Sequence, residues 1–310
     1  MTSLQQIEQQ PTNVLTLSHL AEFFKSRDIA SYYALAATLK MHADAIEPYA
    51  QDVFRFLNFR GILDPLDQYA QRLERLRILQ NEFEKSGKYP AASSRQVQHV
   101  DDEQYKLALL LSFISTNHRF EILQQLVRFL RMSCSAPKEA LSVGYGTGYE
   151  LKLVFDELPL WKLWAFDNSS ESYEYASSLL RFFGYSADCL HQEFFPLDNS
   201  ENAAAYHGRF GKIILCELLE HLDNPQLALE SARSALSKDG LLFCTMAVNI
   251  AQEDHVYLYT SPEQARAQVV ESGFEIVEEL VAPVVVLPFA ESARARLFKK
   301  GNYICSARAR

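Results

Sequence analysis

Leu141-Ser-Val-Gly-Tyr-Gly-Thr-Gly148 is the stretch that decides the fold. Three glycines at alternate positions follow a short apolar run. Glycine accepts φ > 0 and has no Cβ, so a strand ending in such a loop lets backbone N–H groups close on a ligand. Glycine-rich turns serve nucleotide and dinucleotide sites alike, and the loop alone leaves the ligand open. Nineteen residues beyond Gly148 comes Asp167, at the end of the apolar stretch Trp164-Ala-Phe-Asp167. A glycine loop followed about 20 residues later by an acidic strand end is how doubly wound folds hold a ribose.

Around this pair the pattern alternates. After Ser133-Cys-Ser-Ala-Pro-Lys138, strands are predicted at Ala140–Val143, Trp161–Asp167, Ser186–His191, Lys212–Cys216, Gly240–Met246, Glu275–Leu280 and Asn302–Ala307. Helical patterns separate the first five, which favours parallel crossovers. Ala176, Leu179, Leu180 and Phe183 form one helical stripe, ended by Gly184. Asn224-Pro225 starts a helix carrying Leu229, Ala232 and Leu236, and Asp239-Gly240 turns it into the next strand. Ser261-Pro262-Glu263-Gln264 reads as a helix start with a capping box, and that helix ends at Gly273. Between the last two strands only Ser292–Lys299 has any helical character, so an antiparallel closing pair is expected.

Upstream the chain reads as helical. Residues 31–59 form one helical region, interrupted at Glu47-Pro48. Tyr69, Leu73, Leu76, Leu79 and Phe83 recur at helical spacing, and Lys88–Ser94 reads as a loop. Asp101-Asp-Glu103 opens another helix, and Asn117 caps one bearing Phe120, Leu123, Val127 and Leu130. The division expected is a helical domain over 1–132 and an α/β domain over 133–310.

Bulk properties narrow the function. A 48% hydrophobic content supports real cores, and 22% charged residues argue against disorder. A net charge of -9 without a Lys/Arg cluster argues against nucleic acid or anionic membrane as partner. The five cysteines form no CxxC pair, and three lie in strand-like runs, as small core residues of a reduced compartment do. Met1-Thr-Ser-Leu-Gln-Gln has no basic start and no apolar signal core. The longest apolar run, Leu107–Ile114, falls far short of the roughly 20 residues of a membrane span. A soluble cytoplasmic protein with a small-molecule substrate is expected. Oligomeric state is not legible.

The seven-strand order, the glycine loop and Asp167 together resemble the class I S-adenosylmethionine-dependent methyltransferases, over roughly residues 138–308. The resemblance implies a Rossmann-like seven-stranded α/β sheet, with the N-terminal all-helical part as a lid. It implies S-adenosylmethionine as cofactor, cradled by Gly144, Tyr145, Gly146 and Gly148. Asp167 would bind the ribose hydroxyls with Asn168 beside it, and Glu193 and Phe194 would meet the adenine. Cys216-Glu-Leu-Leu-Glu-His-Leu222 is similar to the family's fourth-strand motif, which puts Cys216 and Glu217 at the pocket. The loop lacks the GxGxxG spacing of nicotinamide enzymes. One position departs from the family: Ser142 stands where an Asp or Glu usually precedes the first glycine, near the methionine end. A hydroxyl cannot offset an ammonium, and Glu150 and Glu217 are candidates to replace it.

The cofactor's sulfonium carbons are open to in-line displacement. The enzyme must hold a nucleophile about 3–3.5 Å away and aligned, with a base where the nucleophile carries a proton. Aromatic faces stabilise the cation. The segment Met246–Tyr259 follows the fifth strand, at the carboxyl edge where open α/β sheets bind ligands. Asn249, His255, Tyr257 and Tyr259 are therefore acceptor-site candidates. His255 is the expected base, with Tyr145, Asn249 and Glu217 shaping the reaction site. Tyr32, Tyr33, Asn117 and His118 lie near helix starts and are read as packing and capping groups. Some RNA 2′-O-methyltransferases of this fold bind a divalent metal through a Glu-x-x-Glu-His pattern like Glu217, Glu220 and His221, adding a histidine for which His255 is the candidate. Many relatives carry the Glu-His pair without metal, and no metal is expected here.

Three functions follow. The first is methyl transfer to a nucleophilic N or O of a small molecule, as in natural-product biosynthesis. The second resembles the azetidine-2-carboxylate synthases, in which the cofactor's own amine attacks its γ-carbon and methylthioadenosine leaves. Ser142 suits it, because that amine must be neutral and a nearby carboxylate favours the ammonium. The third is a non-catalytic binding protein of the same fold.

Overall fold

The computed structural model describes residues 15–89, 103–195, 205–284 and 300–310. Parts of the predicted loop at Lys88–Ser94, the acidic start at Asp101-Asp102, the segment Ser292–Lys299 and the first fourteen residues lie outside them. Five helices come first: α1 Leu17–Arg27, α2 Ile29–Arg60, α3 Pro65–Ser86, α4 Glu103–Ser115 and α5 Asn117–Arg131. Then strands and helices alternate: β1 Glu139–Val143, α6 Tyr149–Glu157, β2 Lys162–Asp167, α7 Ser170–Phe182, β3 Leu190–Gln192 and β4 Phe210–Leu215. A single 3-10 turn at Leu219–His221 leads to α8 Pro225–Ala235, β5 Leu236–Val248, α9 Pro262–Glu271, β6 Phe274–Pro283 and β7 Gly301–Ala309.

The seven strands make one sheet in the order β3-β2-β1-β4-β5-β7-β6. The first five pair in parallel, and β7 runs antiparallel between β5 and β6. The order reverses beside β1, so the loops after β1 and β4 face each other across a crevice at the carboxyl edge. Strand residues alternate between two cores, as a sheet covered on both faces requires. Ala140, Ile214 and Phe243 join α1, α2, α4, α5, α6 and α7 on one face. Leu141, Ile213 and Leu242 join α8 and α9 on the other. The helical half thus shares its core with one sheet face.

Several local expectations are corrected. The long helix is not interrupted at Pro48; α2 runs through it, and its non-helical residue is His42 (φ -129°, ψ 20°). Pro48 removes one N–H from the ladder, while His42 is held outside it by Asn117 Oδ1 at 2.9 Å and by the Phe120 ring. Asn117 is therefore not the cap of α5. Thr116 holds that position, and the Asn117 amide is spent on His42. β3 has only three residues and starts at Leu190, not Ser186. Asp239-Gly240 makes no turn: β5 already begins at Leu236, and the extra residues are absorbed by a register shift against β4.

At the far end of α5, Lys212 of β4 is buried and donates to the carbonyls of Phe129 (2.7 Å) and Met132 (2.9 Å). Burial lowers its pKa to about 8, and the carbonyls it meets lie at the C-terminal end of the helix, where a cation is favoured. This fixes α5 along the sheet and aims its first turn at the crevice.

Among the described residues, no helix is long and apolar enough to cross a membrane.

Gly148 and Gly184 both have φ near +80°, but only Gly148 is crowded: an added Cβ would lie 2.7 Å from Ala176 Cβ, whereas at Gly184 it meets nothing within 4 Å. Gly184→Ala should cost roughly 1 kcal/mol of left-handed backbone strain, and Gly148→Ala a further 1–3 kcal/mol of overpacking. Urea unfolding of the two variants checks this; equal destabilisation would show that α6 and α7 do not meet at Gly148.

Candidate active site

The crevice is a cavity lined from both halves of the chain. The glycine loop contributes Gly144, Tyr145, Gly146 and Thr147, and α6 contributes Glu150. Asp167, Asn168 and Ser169 line it after β2, and Cys216, Glu217, Leu218, Glu220 and His221 after β4. Asp254 and His255 come from the segment after β5, and Tyr105, Lys106, Phe113 and Arg119 from α4 and α5.

Gly144, Gly146 and Gly148 all have φ between +49° and +79°, the backbone region that glycine enters freely. Asp167 holds the loop in place. Its Oδ2 accepts from Gly146 N at 3.0 Å and its Oδ1 from Ser169 N at 3.0 Å. Among the described residues the buried Tyr145 hydroxyl has no hydrogen-bond partner, and burial beside Asp167 pushes its pKa up. From the helical half, Lys106 Nζ donates to Ser172 Oγ at 2.6 Å, tying α4 to the first turn of α7 beside this loop.

Glu217 is the most heavily bonded group. Arg119 Nη1 donates to its Oε2 at 2.6 Å. Thr245 Oγ1 (2.6 Å) and Asn302 Nδ2 (2.7 Å) donate to its Oε1. Burial alone would raise its pKa, but Arg119, the Thr245 hydroxyl and the nearby His118 and His255 outweigh it and lower the carboxyl. Its backbone has φ +50°, a strained value for a non-glycine residue, and Glu217 N donates to Thr245 Oγ1 at 2.8 Å to keep it there.

Beyond Glu217 lies a second titratable group of residues. Glu220, His221 and His255 bring one potential ligand or proton-transfer atom each within 4.8 Å of one another. The two imidazoles have fixed tautomers. His221 Nδ1 faces Asp254 O at 3.0 Å, and His255 Nδ1 faces Ile250 O at 2.8 Å, so each Nδ1–H donates to a carbonyl and, in the neutral ring, Nε2 keeps the lone pair. Burial lowers His255 to about 4. For His221 burial is outweighed by Asp254 and Glu220, and its pKa rises. Glu220 accepts from Ala247 N at 3.3 Å through Oε1, while its buried Oε2 has no hydrogen-bond partner among the described residues. Burial and the charge of Glu217 push it up to about 8.

Of the residues named from sequence, Gly144, Tyr145, Gly146, Asp167, Asn168, Cys216, Glu217 and His255 meet in this cavity. Ser142 is buried within β1, and Gly148 packs on α7. Asn249 does not line the cavity. It sits at φ +54° and its amide donates to Thr260 O at 2.8 Å, so it braces the segment after β5. Tyr259 is wholly buried, with its hydroxyl on Gln268 at 2.5 Å. Glu193 and Phe194 follow β3 outside the lining, and Phe194 is 78% exposed. His118 is half-buried, and the loss of solvent around its ring lowers its pKa to about 3. The sequence reading missed Arg119, Lys106, Tyr105 and Asp254. The available signal for Lys106 was a cation inside the strongly apolar helix α4; Arg119, one of three arginines in the mixed helix α5, gave none.

No curated protein matches the chain. Two solved structures share its fold at low identity. The cyclase SpnF is 16% identical, with 72% of this chain and 98% of that chain covered and a TM-score of 0.51. The mitomycin 7-O-methyltransferase MmcR is 15% identical, with 89% of this chain and 76% of that chain covered and a TM-score of 0.50. A family described as methyltransferase domain matches residues 115–279, more than half of the chain, from the end of α4 through α5 and most of the sheet. The chain belongs to this methyltransferase-domain family.

Proposed function

We propose that the protein is an S-adenosylmethionine-dependent enzyme that methylates a nucleophilic N or O of a small molecule. The observation that carries the reading is the Asp167 carboxylate at the end of β2, bonded to Gly146 N and opening onto the cavity that also holds Glu217 and His255. In this reading the adenosine lies along the glycine loop and Asp167, with Asn168 beside the ribose. The helical half closes the cavity as a lid, which favours a small acceptor shielded from water.

His255 is the acceptor-side base. It is neutral at pH 7 because burial holds its pKa near 4, and its Nδ1–H is committed to Ile250 O. Its Nε2 lone pair therefore takes the proton released as the new bond forms. Glu217 suits this role poorly, since both its oxygens already accept charged or amide donors. It supplies negative charge near the sulfonium and raises the affinity of His255 for a proton. The sulfonium already carries its leaving-group charge, so displacement needs no Lewis acid. We read Glu220, His221 and His255 as a proton-sharing group, not a metal centre.

A second reading is the cyclase. Ser142 supplies no carboxylate to hold an ammonium, the Arg119 guanidinium in the cavity disfavours one, and a neutral amine is the nucleophile that reaction requires. The amine attacks the γ-carbon, the γ-carbon–sulfur bond breaks with its electron pair leaving on methylthioadenosine, and the amine loses its proton.

Mass spectrometry after incubation with S-adenosylmethionine separates the readings. Methyl transfer predicts S-adenosylhomocysteine only when an acceptor is added; methylthioadenosine accumulating from the cofactor alone supports the cyclase. Turnover should survive EDTA, and loss restored by a divalent ion would make Glu220, His221 and His255 ligands. His255→Ala should lower kcat about 100-fold or more with the KM for the cofactor unchanged; unchanged kcat removes His255 as the base.

Glu220 also sets a pH dependence of stability. Its folded pKa of about 8 lies above the ordinary 4.5, so the folded chain holds a proton that the unfolded chain releases between those values. Stability from this group is therefore lost as pH rises through that window, on the order of 5 kcal/mol. Glu220→Gln should lose less stability than wild type between pH 5 and 8 in urea titrations; identical slopes would show that Glu220 is ionised in the folded protein.

A further inference from the structure

The acceptor end of the cavity is rich in lone pairs. Glu220 is wholly buried, its Oε1 takes Ala247 N, and its Oε2 has no hydrogen-bond partner among the described residues. His255 is 1% exposed, and its ring centroid lies 4.9 Å from that of His221. Each neutral imidazole spends Nδ1–H on a backbone carbonyl and offers Nε2 as an acceptor. Asp254, which lines the same end, has a buried Oδ1 with no hydrogen-bond partner among the described residues. A buried acceptor left unmade is costly, so a ligand here gains by bringing hydrogens.

Charge points the same way. Arg119 has its charge met by Glu217 at 2.6 Å. Among the described residues, no lysine or arginine pairs with Glu220 or Asp254, and His221 is the main group favouring the ionised form of each. Burial and Glu217 push Glu220 up to about 8, so at pH 7 it holds a proton that an incoming cation displaces. An alcohol brings one hydrogen and no charge; a primary ammonium brings three hydrogens and a full charge. Aromatic surface borders the group on the helical side. Tyr89, after α3, sets its ring 5.7 Å from that of His255, and Tyr105 lines the cavity.

We propose that Glu220, His221 and His255 bind the amino group of the acceptor, so that the substrate is a primary amine, taken up as its ammonium and methylated on nitrogen. The inference rests on the methyl-transfer reading. Glu220 takes one N–H proton from the bound ammonium and leaves a neutral amine. The amine lone pair forms the N–C bond to the methyl carbon, and the carbon–sulfur bond breaks with its electron pair on sulfur. His255 Nε2 accepts a proton from the new N-methylammonium. The products are a secondary amine and S-adenosylhomocysteine, and both protons pass to solvent.

Calorimetry and thermal shift on protein saturated with S-adenosylhomocysteine test this with matched probes, propylamine against propanol and benzylamine against benzyl alcohol. Wild type is compared with Glu220→Gln, which keeps the shape of the neutral acid and cannot take up its charge. The amines should bind wild type more tightly than the alcohols. Glu220→Gln should weaken the amines about tenfold or more and leave S-adenosylhomocysteine affinity unchanged. Propylamine binding to wild type at pH 7 should release a proton, read as different heats in Tris and phosphate, and Glu220→Gln should release none. Alcohols that match the amines, amine affinity or proton release unchanged in Glu220→Gln, or its loss of S-adenosylhomocysteine together with the amine, overturns the ammonium site. So does the lack of any amine response in wild type that binds S-adenosylhomocysteine. Wild type that does not bind S-adenosylhomocysteine, or that forms methylthioadenosine from S-adenosylmethionine alone, overturns the methyl-transfer reading itself.

Discussion

The buried ion pair between Arg119 and Glu217 is the constraint on which the site depends. It joins the first turn of α5 to the carboxyl end of β4. Two charges taken out of water need excellent geometry to break even, and removing one partner typically costs about 3–5 kcal/mol because the other is left buried. Here the geometry is met by Thr245 and Asn302, which complete the carboxylate's bonds from β5 and β7. The strained backbone at Glu217 persists because these neighbours over-determine it. Lys212, capping the other end of α5, prevents that helix from sliding along the sheet.

The helical half is therefore part of the cavity wall. The segment after β5, which carries His255, is gripped from α3 and α4. Arg72 makes a bidentate pair with Glu253 at 2.5 and 2.6 Å, and Gln80 bonds both Asn249 O and Ala251 N. Tyr105 donates to Asp254 Oδ2 at 3.0 Å, and Asp254 in turn receives the Nδ1–H of His221 on its carbonyl. The tautomer of a group in the reaction site is thus reached from the helical half through two hydrogen bonds. Removing either element would disturb His221 and His255 before it touched the glycine loop.

The sheet was legible in the sequence because its signals are local. Glycines at positive φ, a strand-end acid and alternating apolar runs are each readable within ten residues, and together they led to a seven-stranded Rossmann-like sheet with an antiparallel closing pair. What was not legible depends on contacts across the chain. Arg119 reads as one more charge on a helix until its 98-residue partner Glu217 is known. Asn249 has the composition and place of an acceptor-site residue, yet its left-handed backbone turns its amide onto Thr260. Pro48 announces a helix break, yet tertiary bonds at His42 moved the irregularity upstream. Propensity and spacing lose wherever a distant partner holds a group more firmly than its neighbours do.

The central claim is that one cavity, walled by both halves of the chain, holds the cofactor. Hydrogen–deuterium exchange with and without S-adenosylhomocysteine tests it most directly. The account predicts slowed exchange together in residues 116–120, 143–150, 216–221 and 252–256. Protection of the glycine loop with no change in 116–120 and 252–256 would contradict it, because the helical half would then lie outside the site.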